Sequence, residues 1–343
     1  MSDTIIQVFS LAGPPWPTVD PFLFCVHHHD EYPAGNGNFG PDAATLRGRN
    51  IGSDFSGTDG WSMYHGSVVP GFPQHPHRGF ETVTFVRRGL IDHADSLGAA
   101  ARYGEGDVQW LTAGGGIAHA EMFPMLRDDA PNPTELFQIW VNLPAADKMV
   151  EAHFAMLWDE DIPRVRAEGV EVTVAAGEIG EAVPPAPPPH SWASRPGSDV
   201  AIWNVRLEPG ASWTMPAAAG DETVRMLYVY EGSSLSVDGE VVDGAHGAMV
   251  RCDRPVEITA GDGPQAVQVL VLQGRPIGEP VAQYGPFVMN DRAGIEQAFA
   301  DYQRTQFGGW PWPVDDPVHG REGRVARRAD GSLERPSAAR AGA

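Results

Sequence analysis

At 343 residues the chain exceeds what a single hydrophobic core usually supports, so two domains are expected. Its formal charge of −21, from 45 acidic and 24 basic side chains, repels phosphate backbones and argues against direct nucleic-acid binding. Only Cys25 and Cys252 occur, in opposite halves, which excludes a disulfide framework and a thiolate zinc site.

The N-terminus, Met-Ser-Asp-Thr, lacks a basic region followed by an apolar one, and no apolar run approaches membrane-spanning length. A soluble, cytoplasmic protein with no membrane partner is expected. The first segment of note is His27-His28-His29-Asp30. Three consecutive histidines alternate faces on a strand, so only two can share an ion, and a strand end at a barrel mouth is the simpler reading. Gly35-Asn-Gly37-Asn-Phe-Gly40 matches a dinucleotide fingerprint in letters. Pro33 and Pro41 flank it with neither strand nor helix, so it reads as an irregular loop.

Farther along, short β-type runs bounded by glycine, proline and aspartate dominate, at 82–86, 108–111, 136–141, 170–174, 200–207, 224–230, 235–237 and 266–272. This is the pattern of an all-β sandwich or barrel. The run ending at Val141 leads into a Leu-Pro-Ala-Ala-Asp turn, which sets a boundary near 142–150 and a first domain over 1–147. The proline stretch 184–189 reads as a stiff loop inside a second domain over 148–318. After Asn290 and Asp291, the side chains of Ile295, Ala298, Phe299 and Tyr302 share one helical face, predicting a short helix over about 291–304 that closes this second domain. Residues 319–343, rich in Arg, Ala and Gly, read as a disordered tail.

The chemistry concentrates in the first domain. In an extended chain residues two apart share a face, so His75 and His77 can point together into a barrel. His119 and Glu121 repeat that spacing after a glycine-rich turn, and three imidazoles and one carboxylate would then converge. Any one of these histidines alone is better read as a surface or satisfied core residue, but two same-face pairs shift the balance to a metal site. Mixed nitrogen and oxygen ligands suit one mononuclear divalent ion, Fe(II) but also Mn, Co, Ni, Cu or Zn. Four ligands on an octahedral ion leave two positions open, unlike a closed structural zinc site. Glu81 is the second-ranked carboxylate, as a fourth ligand in place of Glu121 or as a partner of Arg78. His93 and Asp95 share a face and either orient a ligand or make ordinary turn hydrogen bonds. Trp110, Trp140 and Trp203 are read as core, with Gln109 near the metal.

At this point the chain resembles the pirins, a subgroup of the cupin superfamily. The likeness is carried by His75-Pro-His-Arg-Gly-Phe-Glu-Thr-Val-Thr, Asp95-Ser-Leu-Gly, Gly106-Asp-Val-Gln-Trp and Thr112-Ala-Gly with His119 and Glu121. Phe137-Gln-Ile-Trp-Val-Asn-Leu-Pro, Gly274-Arg-Pro-Ile-Gly-Glu-Pro and Gln283-Tyr-Gly-Pro-Phe-Val-Met-Asn extend it to the closing helix. The resemblance implies two tandem cupin (jelly-roll) β-barrels with a short C-terminal helix, and iron held in the first barrel by His75, His77, His119 and Glu121. It further implies quercetin 2,3-dioxygenase activity, as associated with bacterial relatives, or an iron-dependent, redox-sensitive co-regulator, as associated with eukaryotic ones.

The leading expectation is a dioxygenase-like enzyme that takes a flavonol or other small aromatic enol and dioxygen. Glu121 would add to its ligand role the acceptance of the substrate's hydroxyl proton. The alternative is a non-enzymatic regulator that binds a protein partner. The segment of about 33–66, with Arg47, Arg49, Asp54, Trp61, Tyr64 and His65, is longer than expected before the His-Pro-His strand, and reads as a lid over the metal or a peripheral flap. Aligning Arg88-Gly89 with Glu231-Gly232 carries His75 onto Ala218 and His77 onto Gly220, so the second barrel is expected to be metal-free and structural.

Overall fold

The computed structural model describes residues 3–337. It is nearly all β, and each apolar run picked out above forms a strand or the body of one. The first half contains β1 (Ile5–Ser10), β2 (Phe22–Tyr32), β3 (Gly71–His77), β4 (Phe80–Arg88) and β5 (Leu90–Asp95). It continues with β6 (Ala100–Gly104), β7 (Val108–Thr112), β8 (Ile117–Met122), β9 (Asn132–Asn142) and β10 (His153–Leu157). One sheet of this barrel has the order β10-β7-β4-β9-β2, and β6-β5-β8-β3 lie side by side in the other. Leu111, Val86, Leu136, Ile91 and Ile117, drawn from both sheets, meet in its core.

The second half contributes β11 (Arg164–Ala167), β12 (Val170–Ala176), β13 (Ala201–Leu207), β14 (Ser212–Met215) and β15 (Val224–Glu231). Then come β16 (Ser234–Val237), β17 (Glu240–Asp243), β18 (His246–Val250), β19 (Val256–Ala260) and β20 (Val267–Gly274). A sheet ordered β1-β18-β15-β20-β13-β12-β11 and another ordered β14-β19-β16-β17 enclose a valine-rich core. The proline stretch 184–189 carries no regular structure. Ala218 and Gly220 lie between β14 and β15.

The two compact units are not simple successive halves of the chain. Among the described residues, one contains 27–139, 145–160 and 279–337, and the other contains 3–26, 140–144 and 161–278. Strand β1 reaches the second barrel because its backbone pairs with β18, with Ser10 opposite His246. At the other end come β21 (Ala282–Tyr284), β22 (Phe287–Met289) and helix α1 (Arg292–Thr305). Asp291 caps α1 by accepting from the Gly294 amide at 2.7 Å.

Helix α1 lies where its periodicity predicts, and by its contacts it groups with the first barrel's unit. The cause is visible at Arg78, whose Nη1 donates to Asp301 at 2.9 Å while Nε donates to the Gly115 carbonyl at 2.7 Å. Ile295 and Ala298 bury the apolar face beside Phe287 and Phe307. Within the stretch expected to be a disordered tail, β23 (Val325–Arg327) and β24 (Leu333–Glu334) extend the sheet beyond β6. Ala326 pairs with Ala101, giving an otherwise open strand edge its backbone partners. The last part of that expected tail, 338–343, falls outside the described residues.

Candidate metal centre

Strands β3 and β8 run antiparallel with His75 opposite His119. A break in register between Phe72 and His75 offsets β3 at this point, and bulges of this kind re-aim side chains. Gly71 permits the close approach: its φ is +131°, and a Cβ there would meet the Glu121 carbonyl oxygen at 2.4 Å. The ring centroids of His75 and His119 are 4.5 Å apart, those of His75 and His77 4.8 Å, and those of His77 and His119 4.9 Å. One ring nitrogen from each of the three lies within 4.8 Å of the others, so the group can hold a metal ion. His75 Nδ1 donates to the Pro73 carbonyl at 2.9 Å, which leaves Nε2 as a lone-pair donor.

Glu121 stands beside this group, with Oε2 3.9 Å from His119 Nε2. Both of its oxygens are engaged. Gln138 Nε2 donates to Oε2 at 2.8 Å, and Tyr103 Oη approaches Oε1 at 3.4 Å. Thr84 Oγ1 lies 2.9 Å from Glu121 Oε1 and 2.7 Å from the side-chain amide oxygen (Oε1) of Gln138, so its single proton is shared between two acceptors. Burial raises the Glu121 pKa, against the hydrogen bonds that favour its ionised form.

The imidazoles are held in the form a metal requires. Burial lowers the His75 pKa to about 4, and it holds His77 and His119 well below the usual range, with the neighbouring imidazoles adding to the effect. Neutral imidazole is the ligating species. Neither ring nitrogen of His119 has a hydrogen-bond partner among the described residues. An unsatisfied buried nitrogen costs roughly 1–3 kcal/mol, and coordination of a cation by His119 would remove that cost while compensating the buried Glu121 charge. The residues present therefore fit a divalent ion.

Glu81 takes no part in the group. It sits opposite Thr112 in the β4·β7 pairing and accepts from its hydroxyl at 2.6 Å. The His27–His29 run alternates as expected: His27 Nε2 contacts Glu135 at 3.0 Å, whereas His28 Nδ1 contacts the Tyr64 hydroxyl at 3.0 Å. His93 pairs with Asp95 at 3.2 Å, and its ring lies 5.5 Å from that of His119. Gln109 approaches the Tyr103 hydroxyl at 3.4 Å, one step from Glu121. Trp110 and Trp203 are buried, while Trp140 is half-buried and stacks on Phe24.

Sequence reasoning missed Thr84, Tyr103 and Gln138, the residues around the Glu121 carboxylate. A signal was present, because Thr84 and Gln138 are polar interruptions of apolar strands, between Val83 and Phe85 and between Phe137 and Ile139. The long segment before β3 also contributes. Tyr64 stacks on Phe72 at 5.0 Å, and Phe72 meets the His75 ring edge-on at 6.3 Å. Trp61, Met63 and Tyr64 are buried in the barrel core, so this end of the segment is no detachable flap.

Comparison with known proteins agrees with this architecture. Residues 16–141 match the family model Pirin, and 202–308 match the Pirin C-terminal cupin domain. A Pseudomonas aeruginosa protein named "Putative quercetin 2,3-dioxygenase" is 40% identical over 240 residues, covering 69% of this chain and 79% of its own. Human pirin is 33% identical over 258 residues, covering 71% of this chain and 80% of its own. The crystal structure of a quercetin 2,3-dioxygenase from Acinetobacter baumannii superposes with a TM-score of 0.65 at 28% identity, over 84% of this chain and 87% of that one. With both cupin domains matched, the chain belongs to the pirin family.

Proposed function

We propose that this pirin is a metal-dependent dioxygenase of the quercetin 2,3-dioxygenase type, with one divalent ion, Fe(II), held by His75, His77, His119 and Glu121. The observation that carries the reading is the meeting of three neutral imidazoles within 4.8 Å with a buried carboxylate 3.9 Å from His119. When bound, the ion supplies Lewis acidity toward an enolate oxygen and redox access to dioxygen.

The chain's own residues do the rest. Glu121 Oε2 faces His119 and accepts the proton of the substrate's enolic hydroxyl. Gln138 and Thr84 hold the carboxylate in place while it does so. Phe72, stacked on Tyr64 at 5.0 Å and 6.3 Å from the His75 ring, offers an aromatic face to a flat ring. The names of the relatives support a flavonol as substrate.

The test is anaerobic mixing of Fe(II)-loaded protein with quercetin, followed by air. Loss of the flavonol absorption is expected, and His119→Ala should abolish both that loss and metal retention. An unchanged spectrum at full metal occupancy overturns flavonol cleavage, and leaves the redox-responsive regulator as the reading to pursue.

A further inference from the structure

We propose a second ligand site, independent of the metal centre, in which the C-terminal segment takes a small aromatic carboxylate. The segment beyond residue 308 lies outside both family matches. It folds against β5 and β6. The Trp312 indole nitrogen donates to the Asp95 carbonyl at 2.8 Å, and the His319 amide donates to Asp92 at 2.9 Å. Between this segment and β6 lies a cavity of about 580 Å³, within the range of small-molecule sites.

Its lining has two characters. Trp312, Val318, Val325 and Leu333 form apolar walls, and Arg327 and Arg335 bring charge. The other two arginines of the lining are already neutralised. Arg102 donates to both oxygens of Asp92 at 2.6 Å, and Arg321 donates to Asp128 at 2.5 Å. Arg327 and Arg335 have no hydrogen bond or ion pair to any side chain among the described residues. Glu322, the one acidic residue of the lining, makes no ion pair with either among the described residues, so in a chain with 45 acidic side chains these two arginines mark a place for an external anion.

A guanidinium presents parallel N–H groups that match a carboxylate. The indole of Trp312, its nitrogen tethered, offers a flat face to the ring behind that carboxylate. A bare inorganic anion would use the arginines and leave the apolar walls unfilled. A neutral aromatic would do the reverse.

The experiment is calorimetric titration of the full chain with benzoate, with inorganic phosphate and benzyl alcohol as comparisons. Saturable one-to-one binding of benzoate is expected, tighter than either comparison. The double substitution Arg327→Ala with Arg335→Ala should weaken it about tenfold or more, as loss of charge-assisted hydrogen bonds implies. Both side chains belong to exposed residues, so the fold should survive and the melting temperature should stay near that of the parent. His119→Ala should leave benzoate affinity unchanged, which separates this site from the metal centre. Absence of saturable binding, or equal affinity in the double variant, overturns the proposal. So does phosphate binding as tightly as benzoate, because the aromatic walls would then have no role.

Discussion

Gln138 Nε2 donates to Glu121 Oε2 at 2.8 Å, on the oxygen that faces His119 Nε2 at 3.9 Å. The carboxylate is therefore aimed by a strand of the opposite sheet, since Gln138 lies on β9 and Glu121 on β8. Gln138→Leu keeps the size of the side chain and removes the donor. Metal affinity should fall about 10- to 100-fold, the usual loss when a ligand's supporting hydrogen bond goes. Chelator competition measures this directly. An affinity equal to that of the parent would show that Glu121 needs no such support. Thr84→Val should act in the same direction.

A second prediction concerns Asp30, which accepts from the Tyr64 hydroxyl at 2.7 Å and from the Ser62 amide at 2.8 Å. Burial raises its pKa from 3.8 to about 6, with Asp54 adding to the rise and the two hydrogen bonds opposing it. The folded state thus binds more protons than the unfolded one between those values, and stability falls as pH rises through that window. The loss should be on the order of 3 kcal/mol for this group. Asp30→Asn should remove it, so the difference in unfolding free energy between variant and parent should grow from pH 4 to pH 7. A constant difference across that range would contradict the assignment.

Deletion of residues 319–343 tests whether the C-terminal segment is structural. Arg102 Nη1 donates to the Gly320 and Glu322 carbonyls at 2.7 and 2.8 Å. Without them a buried guanidinium loses acceptors, at roughly 1–3 kcal/mol for each group left unsatisfied. The truncated chain should unfold at lower denaturant. A disordered tail would leave the midpoint where it was.

The aromatic wall before β3 yields a test of substrate recognition. Tyr64→Phe retains the stack on Phe72 but loses the hydroxyl shared with Asp30 and His28. Tyr64→Ala loses both. If the ring guides a flat substrate, Tyr64→Phe should preserve KM for the flavonol and Tyr64→Ala should raise it several-fold. Equal KM values in both variants would remove Tyr64 from recognition.

The strands, the closing helix and the four candidate ligands were legible from local pattern. His75 with His77, and His119 with Glu121, share a face because side chains of an extended chain alternate with a period of two, and that period needs no knowledge of the partner strand. The cap at Asp291 and the apolar face from Ile295 to Tyr302 are local in the same way. What local pattern could not supply is pairing across distance. Whether Glu81 or Glu121 joins the imidazoles depends on register: Glu81 faces Thr112 across β7, while Glu121 lies on the strand that pairs with β3. Helix α1 follows the second barrel in sequence, yet Arg78 and Asp301, 223 residues apart, tie it to the first. The polar composition beyond residue 318 suggests disorder only until the edge of β6 supplies backbone partners and Arg102 seeks acceptors there. Composition and periodicity determined what each segment could become, and only the tertiary structure decided which segments met, because register and edge pairing are properties of two stretches of chain at once.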